Sequence, residues 1–397
     1  MGRVSEGAVP ALDLGSMSAA FPLRDVEKIL EETNRTSRRK RKLPAYLMTY
    51  YVIALGLLAS VGAREVLRRL VDRHRRDGKW PPGELASEAA ITKARQRLGV
   101  EPLRRLYDQY VRPIATRVIK SAWYRNWRVV TLDATTLQML DTPQNEEHFG
   151  RPPASRGSSA WPQLRLAALL ENGTRVLFAV AFDAYRISES ALARRILDRL
   201  EPGMLCLADR GFYGFDLWMT AAARGADLLW RVQKTLTLPE IERLPDGSFL
   251  SHVYLNRHHN RIGKPQVVRV ISFTVTLRGK VEPYRVITTI LDPNCAPALE
   301  LARLYASRWT IETAFRELKV HQRDRHLLLR SKLPELVEQD VYGLLLAHFG
   351  IRRLMCESAR AENIEPAELS FSHALRVVIE RLPEMVAFSP SAEDALP

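Results

Sequence analysis

The sequence predicts an α/β protein in which a mixed β-sheet carries helices on its faces and follows an all-α N-terminal region. Three observations predict this class. Residues 23–118 show helical periodicity; short apolar runs alternate with helical stretches from Trp127 onward; and residues 235–297 carry only strand-like patterns before helices resume at Ala298. Strands followed by a strand–helix–strand alternation are typical of a sheet covered by helices.

The composition is that of a basic globular protein. The chain has 397 residues, 46% of them hydrophobic, which predicts two or three domains. Its formal net charge is +14, and such an excess favours nucleic acid as a partner because neutralising phosphates releases counterions. A membrane surface is the alternative. Three widely separated cysteines exclude a disulfide framework and a thiolate zinc site, and they predict a cytosolic protein.

The N-terminal third is predicted to be helical. Residues 1–22 are rich in small uncharged side chains and predict a flexible arm, whereas residues 23–118 predict a helical DNA-binding domain. One of its helices has Ser87 as a plausible N-cap and Gly99 as stop signal. The three preceding helices are expected at Leu23–Glu32, Leu43–Val61 and Arg64–Arg76.

The apolar helix of this region has two interpretations. The segment Leu43–Ala63 is uncharged over about a membrane-spanning length and follows a basic run, as a single-pass anchor would. Pro44, three tyrosines and two glycines favour a buried helix of a globular domain instead. Residues 1–16 show no apolar run of the signal-peptide type.

The region 119–355 is predicted to be the catalytic domain, with a β insertion at about 235–297. A helix is expected after Ser188, which is a plausible N-cap. The five core strands are expected at Arg128–Asp133, Gln163–Gly173, Arg175–Arg186, Gly203–Gly211 and Asp227–Gln233. Residues 356–397 predict a helical C-terminal segment and a frayed tail, in which Leu369–Leu382 is available to a partner.

Two aspartates follow strongly apolar strands. Asp133 ends one predicted strand and Asp209 ends another. A carboxylate at the end of a core strand must be solvated, hydrogen-bonded or bound to a cation. The ordinary alternative is an aspartate that caps the next turn, which is credible for Asp209 in the triplet Asp-Arg-Gly.

A third carboxylate lies on a predicted helix that runs from Tyr305 to Lys319. At about 100° per residue, five side chains fall on one narrow stripe beside the core face. They are Tyr305, Arg308, Glu312, Arg316 and Lys319. The stripe fits a ladder of i,i+4 ion pairs. It equally fits a metal-binding Glu312 flanked by phosphate-binding cations.

The three acids together suit divalent-metal chemistry. Magnesium prefers oxygen ligands, and two such ions activate a nucleophile and stabilise a leaving oxygen at phosphorus. The sequence has no HExxH zinc motif, no P-loop and no GxSxG elbow. The pair His258-His259 is interpreted as a DNA-facing or loop pair rather than as a metal site.

At this point the motifs resemble a known family. The spacing Y-x2-R-x3-E-x6-K, from Tyr305 to Lys319, is similar to the YREK signature of the insertion-sequence-four family of bacterial DDE transposases. Thr131–Gly150 and Leu207–Trp218 resemble the family's two aspartate blocks, and Ala94–Gly99 resembles part of its helical N-terminal domain. The likeness covers about residues 25–355.

The resemblance implies a ribonuclease H-like core with a β insertion before the last catalytic helix. It implies a DDE triad of Asp133, Asp209 and Glu312 that binds two Mg²⁺ or Mn²⁺ ions. The implied activity is cut-and-paste transposition, with metal-dependent nicking, a hairpin intermediate and strand transfer. The implied partners are the element's terminal inverted repeats, target DNA and a second copy of the chain on paired ends, in the bacterial cytoplasm and without a membrane.

The resemblance also implies DNA contacts. Tyr305, Arg308 and Lys319 would hold phosphates near the cleaved end. Further DNA contacts are expected at Arg316, Arg210, Arg38, Arg39 and Lys40. Some members stack a flipped base on a tryptophan of the insertion; here Tyr284 would substitute, or it packs within its strand. Two alternatives remain: a non-catalytic DNA-binding relative, such as a transposition inhibitor or a domesticated protein, and a nuclease without strand transfer.

Overall fold

The computed structural model describes residues 20–37, 43–58, 61–76, 85–153, 161–257, 260–277, 280–321 and 329–381. The chain divides into two compact units. The helical unit comprises Met1–Val118, Gln138–His148 and Arg316–Pro397. The sheet unit comprises Ile119–Leu137 and Phe149–Phe315.

The α-helices are, in chain order, α1 Leu23–Glu32, α2 Ala45–Leu57, α3 Ala63–Arg76, α4 Glu88–Leu98, α5 Glu101–Tyr110, α6 Pro143–Phe149, α7 Glu189–Arg194, α8 Phe215–Ala222, α9 Ala298–Tyr305, α10 Thr310–Arg316, α11 Pro334–Ala361 and α12 Phe371–Arg381. The strands are β1 Trp123–Tyr124, β2 Trp127–Gln138, β3 Gln163–Glu171, β4 Val176–Ala184, β5 Met204–Ala208, β6 Asp227–Arg231, β7 Glu242–Arg243, β8 Phe249–Arg257, β9 Asn260–Leu277 and β10 Lys280–Thr288.

The predicted helix ends are confirmed where polar caps and glycine mark them. The Ser87 hydroxyl accepts a hydrogen bond from the amide of Ala90 at 3.3 Å, and α4 ends at Gly99, whose φ is 70°. The Ser188 hydroxyl accepts from the amide of Ala191 at 3.2 Å and caps α7 in the same way. Local side-chain chemistry therefore sets these helix ends.

The apolar helix α2 is a core helix of the helical unit. It begins after Pro44, and most of its residues are buried because the long helix α11 crosses it. A Cβ atom on Gly343 would lie 2.3 Å from the carbonyl oxygen of Val52, so glycine permits the two backbones to touch. Within the described ranges, no helix has the length and apolarity that crossing a membrane requires.

The ten strands form one sheet in the order β4-β3-β2-β5-β6-β10-β9-β8-β7, with β1 beside β2. The pairs β2·β5 and β5·β6 are parallel, whereas β3·β4 and β6·β10 are antiparallel. The mixed sheet predicted by the sequence is confirmed, and its order β4-β3-β2-β5-β6 is that of a ribonuclease H-like core. The β insertion extends this core sheet, because β10 pairs directly with β6.

The compact units divide the chain differently from the predicted boundaries. Residues 316–355 lie in the helical unit by compactness, while the assignment of residues 119–355 to the catalytic domain stays a prediction. The physical reason is the pairing of α11 with α2, which are far apart in sequence. Helix α12 packs in the same unit through Phe371, whose ring lies 5.4 Å from that of His348. A partner role for Leu369–Leu382 stays a prediction, and Leu382 itself lies outside the described residues.

Candidate active site

Two neighbouring parallel strands carry Asp133 and Asp209. The register aligns Leu132 with Ala208, so the two aspartates follow the last paired residues at the same edge of the sheet. Strand β5 ends at Ala208, one residue before the predicted end at Asp209. Strand β2 continues past Asp133 to Gln138, so the prediction that Asp133 ends its strand is wrong. The aspartates therefore lie close together because two parallel strands share an edge.

Asp133 is a largely buried carboxylate with two hydrogen-bond donors. Its Oδ1 accepts from the amide of Ala134 at 2.8 Å, and its Oδ2 accepts from Nη1 of Arg308 at 3.1 Å. Burial raises the pKa of Asp133 to about 6; the two donors oppose this rise, and the charges of Asp209 and Glu312 add to it. The pKa of Asp133 thus responds to both other predicted triad acids.

Asp209 faces a tyrosine and an arginine. The Tyr305 hydroxyl donates to the carbonyl oxygen of Ala208 at 3.1 Å and lies 3.5 Å from Oδ1 of Asp209. Nη1 of Arg231 lies 3.6 Å from the same carboxylate oxygen. The turn after β5 uses the backbone oxygen of Asp209, which accepts from the amide of Phe212 at 3.0 Å. The Asp209 carboxylate therefore faces Tyr305 and Arg231. Only the backbone carbonyl oxygen of Asp209 takes part in the turn.

The segment from Tyr305 to Lys319 is not one uniform α-helix. Helix α9 ends at Tyr305, a 3₁₀ turn covers Ala306–Trp309, α10 follows, and a π-helical turn covers Glu317–His321. Because 3₁₀ and π turns have different angular spacings from an α-helix, the predicted single stripe is wrong. Tyr305 and Arg308 are buried, Glu312 and Arg316 are exposed, and Lys319 is half-buried.

Arg308 is the cation that links the predicted triad. It is 6% exposed, and its ion pair within the described residues is with Asp133 rather than with Glu312, which argues against the simple i,i+4 ladder. Burial would lower the pKa of Arg308, but Tyr305, Asp209, Asp133 and Glu312 together raise it. The guanidinium is thus held in a buried place by the surrounding acidic groups.

A buried asparagine that the sequence analysis missed holds the 3₁₀ turn Ala306–Trp309. Asn172 follows β3; its Oδ1 accepts from the hydroxyl of Thr131 at 2.7 Å. Its Nδ2 donates to Ser307, at 3.0 Å to the hydroxyl and 3.2 Å to the carbonyl oxygen. Asn172 therefore connects β2 with the residue before Arg308. In the sequence it is part of a Glu-Asn-Gly turn, and nothing in that turn pattern signals a distant partner.

The remaining predicted DNA contacts have varied surroundings. Tyr284 is 6% exposed and packs 6.3 Å from the ring of Tyr305, with the Arg231 guanidinium 3.6 Å from its ring centroid, which favours the packing role. Arg210 is exposed. Burial lowers the pKa of Lys319, which lies with Arg316 in the helical unit. The contacts predicted at Arg38, Arg39, Lys40 and the pair His258-His259 lie outside the described residues.

The predicted triad acids influence one another electrostatically, but they are not arranged as a preformed metal site. Among the residues that the structure describes, no three or more His, Cys, Asp or Glu side chains are grouped as metal ligands. What the structure does bring together is Asp133, Asp209, Tyr305 and Arg308, with Glu312 close enough to influence Asp133 and Arg308 electrostatically. Two acids and a phenol therefore surround one buried guanidinium.

Comparison with known proteins identifies the family of the chain. Residues 127–349 match the family described as "Transposase DDE domain", and residues 11–108 match "Insertion element 4 transposase N-terminal". The chain belongs to the IS4 family of DDE transposases. It is therefore an enzyme that transposes DNA, and the non-catalytic alternative is not retained. DDE transposases generally use divalent metal ions.

Two relatives from Escherichia coli (strain K12) are similar to this IS4-family transposase. The transposase InsG for insertion sequence element IS4 is 28% identical over 373 residues, which span 92% of this chain and 82% of InsG. The putative transposase InsZ is 28% identical over 212 residues, 53% of this chain and 68% of InsZ. A cryo-EM structure of the piggyBac transposase synaptic complex with hairpin DNA has a TM-score of 0.48 at 9% identity, covering 98% and 86% of the two chains.

Proposed function

We propose that this IS4-family transposase cleaves and joins DNA with two divalent ions, Mg²⁺ or Mn²⁺, held by Asp133, Asp209 and Glu312. The observation that carries the proposal is the buried Arg308, which pairs with Asp133 and interacts electrostatically with all three acids. A purely structural ion pair needs one carboxylate, whereas Asp209 and Glu312 also raise the pKa of this guanidinium.

The donor set suits a hard divalent cation. All three residues supply carboxylate oxygens, the ligands that Mg²⁺ prefers. Asp209 and Glu312 raise the pKa of Asp133, which means that the negative charges repel one another. A bound cation would relieve that repulsion. Ions held there would supply activation of the attacking oxygen and neutralisation of charge at the scissile phosphate.

The chain's own residues would position the DNA end. Arg308 is tied to Asp133, so its remaining donors are suited to a non-bridging phosphate oxygen next to that acid. Tyr305 is fixed through its hydroxyl to Ala208 and adjoins Asp209. Arg316, Lys319 and Arg210 would contact phosphates further along the DNA. The basic segment Arg38–Lys42 would add contacts to the DNA end, because the chain as a whole carries a net charge of +14.

The reaction would proceed by cut-and-paste transposition. A water molecule would attack the phosphodiester at the element end and release a 3′ hydroxyl. That hydroxyl would attack the opposite strand and close a hairpin, which is reopened before the 3′ ends attack target DNA. Each step is hydrolysis or phosphodiester exchange, so no nucleotide cofactor is consumed. Two copies of the chain would act on paired terminal inverted repeats in the bacterial cytoplasm.

The test is cleavage of DNA that carries an element end, with Mg²⁺ or Mn²⁺. Asp133→Ala and Glu312→Ala should each lower nicking by about 10³-fold or more, because each removes a ligand of the group that activates the nucleophile. Binding of the same DNA in a gel-shift assay should change by less than about threefold. Asp183→Ala, on the outer strand β4, is the control and should nick like the wild type. Nicking by Glu312→Ala at the wild-type rate would contradict the assignment.

A further inference from the structure

The helix that leads into the candidate active site begins without a cap of its own. Pro297 precedes α9 and supplies no side-chain hydrogen bond. The amide of Ala298, at the first position of α9, donates instead to Oδ2 of Asp246 at 2.7 Å. The two residues are 52 positions apart, and Asp246 lies in the turn between β7 and β8 of the insertion. The insertion therefore supplies the N-terminal cap of α9, with a carboxylate at the positive end of the helix dipole.

A fully buried arginine locks this cap in place. Arg269 on β9 is 0% exposed, and its Nη2 donates to Oδ2 of Asp246. Its Nε donates to the Ser248 hydroxyl at 2.8 Å, and its Nη1 donates to the carbonyl oxygen of Ala296 at 2.8 Å. The Ser248 hydroxyl in turn donates to Oδ1 of Asp246 at 2.5 Å. One guanidinium thus holds the capping carboxylate and the chain two residues before α9.

The charges of the pair are retained despite burial. Burial would raise the pKa of Asp246, but hydrogen bonds from Ser248 and Ala298 and the charge of Arg269 hold that pKa below its usual value. Asp246 is therefore charged at neutral pH. Burial lowers the pKa of Arg269, but a guanidinium still stays protonated in a protein. A buried ion pair contributes little net stability, because desolvation of the two charges offsets their attraction. The effect of this pair is therefore sought in the positions that it fixes.

Helix α9 connects this pair to the residues of the site. It is eight residues long and ends at Tyr305, whose hydroxyl is bound to Ala208 beside Asp209. Three residues later Arg308 binds Asp133. A helix of this length is about 12 Å long. A change in the position of its first turn would therefore be transmitted to Tyr305 and Arg308.

We propose that the Asp246–Arg269 pair positions the catalytic segment, by fixing the start of α9 to the β insertion so that Tyr305 and Arg308 meet the two strand aspartates. The role rests on the proposed function for its catalytic part. Asp246 and Arg269 are positioning residues, whose hydrogen bonds described above go to Ser248, Ala296 and Ala298 and to each other. The β insertion therefore fixes the start of the helix that leads to Tyr305 and Arg308.

The test uses the double variant Asp246→Ala/Arg269→Met in the full-length protein. Removing both charges together leaves no unpaired buried charge, and circular dichroism checks that the double variant is folded. Hydrogen exchange measured by mass spectrometry should show faster exchange, by about tenfold or more, in the peptide that contains Ala298–Leu301. Nicking at saturating DNA should fall by about 30- to 100-fold, because small misplacements of catalytic groups are costly. Binding of the DNA end should stay within about threefold.

A matched control is available in the same unit. Asp183 on β4 and Arg195 form an ion pair of 2.8 Å at the end of the strand order opposite to the insertion, and Asp183 also accepts from the backbone amide of Ala184 at 2.7 Å. Asp183→Ala/Arg195→Met should leave nicking and the exchange of α9 unchanged.

Three results distinguish the outcomes. Unchanged exchange at Ala298–Leu301 in the double variant would overturn the proposal, and so would faster exchange with wild-type nicking. Faster exchange with lost nicking and retained DNA binding supports it. The exchange measurement does not depend on activity, so it still decides the structural part if Glu312→Ala nicks normally and the assignment of the triad fails.

Discussion

The buried cluster of Glu317, His348 and Arg352 offers a test of how charge stabilises the helical unit. Glu317 lies in the π-helical turn and is 2% exposed; Arg352 and His348 on α11 are 0% and 1% exposed. The carboxylate accepts from Arg352 Nε at 3.0 Å, from Arg352 Nη2, and lies 3.2 Å from His348 Nε2. Burial alone would raise the pKa of Glu317, but these partners lower it to about 2.

The pKa difference gives the size of the effect. A folded-state pKa of about 2 against an ordinary value of 4.5 is worth about 3 kcal/mol at about 1.4 kcal/mol per pKa unit. Because the folded-state pKa is depressed, this stability is present above about pH 4.5 and is lost as the pH falls towards 2. Glu317→Gln removes the charge and leaves Arg352 buried without its carboxylate, which costs about 3–5 kcal/mol.

The assay is urea unfolding followed by circular dichroism, at pH 7 and at steps down to pH 2. Glu317→Gln should lower the free energy of unfolding by about 3–5 kcal/mol at pH 7, and the difference from wild type should shrink towards zero at pH 2. Arg353, next to Arg352, pairs with Glu357 on the surface of the same helix, so Glu357→Gln is the control and should cost less than about 0.5 kcal/mol. A variant as stable as wild type at pH 7, or a difference that does not shrink in acid, would refute the reasoning.

Two further predictions concern packing and the missed asparagine. Gly343→Ala should lower the free energy of unfolding by about 1–3 kcal/mol, because its Cβ would lie 2.3 Å from the Val52 carbonyl oxygen. The control Gly211→Ala has open space around its Cβ and should be near neutral. Equal melting temperatures of the two variants would contradict this prediction. Asn172→Leu should destabilise by about 1–3 kcal/mol, since it leaves the buried Thr131 hydroxyl and Ser307 without a partner. It should also slow nicking more than Thr174→Ala does; equal rates would sink a role for Asn172 at the site.

The sequence by itself determined the elements and their order. Hydrophobic periodicity placed the strands of the core and of the insertion, and Ser87, Ser188 and Gly99 placed helix ends, because these signals act within a few residues of the chain. The sequence also predicts the family by resemblance, and the family comparisons confirm that prediction.

The tertiary structure alone decided the surroundings of those residues. Burial of Arg308 against Asp133, the bridge made by Asn172 and the cap supplied by Asp246 each join positions remote in sequence, and no local pattern encodes such pairings. The unit boundaries depend likewise on α11 crossing α2. The predicted single stripe is wrong for the same reason. Tyr305 and Arg308 bind residues of β5 and β2, and a 3₁₀ turn that contains Arg308 follows Tyr305. The angular period of an ideal α-helix does not include such contacts with other elements.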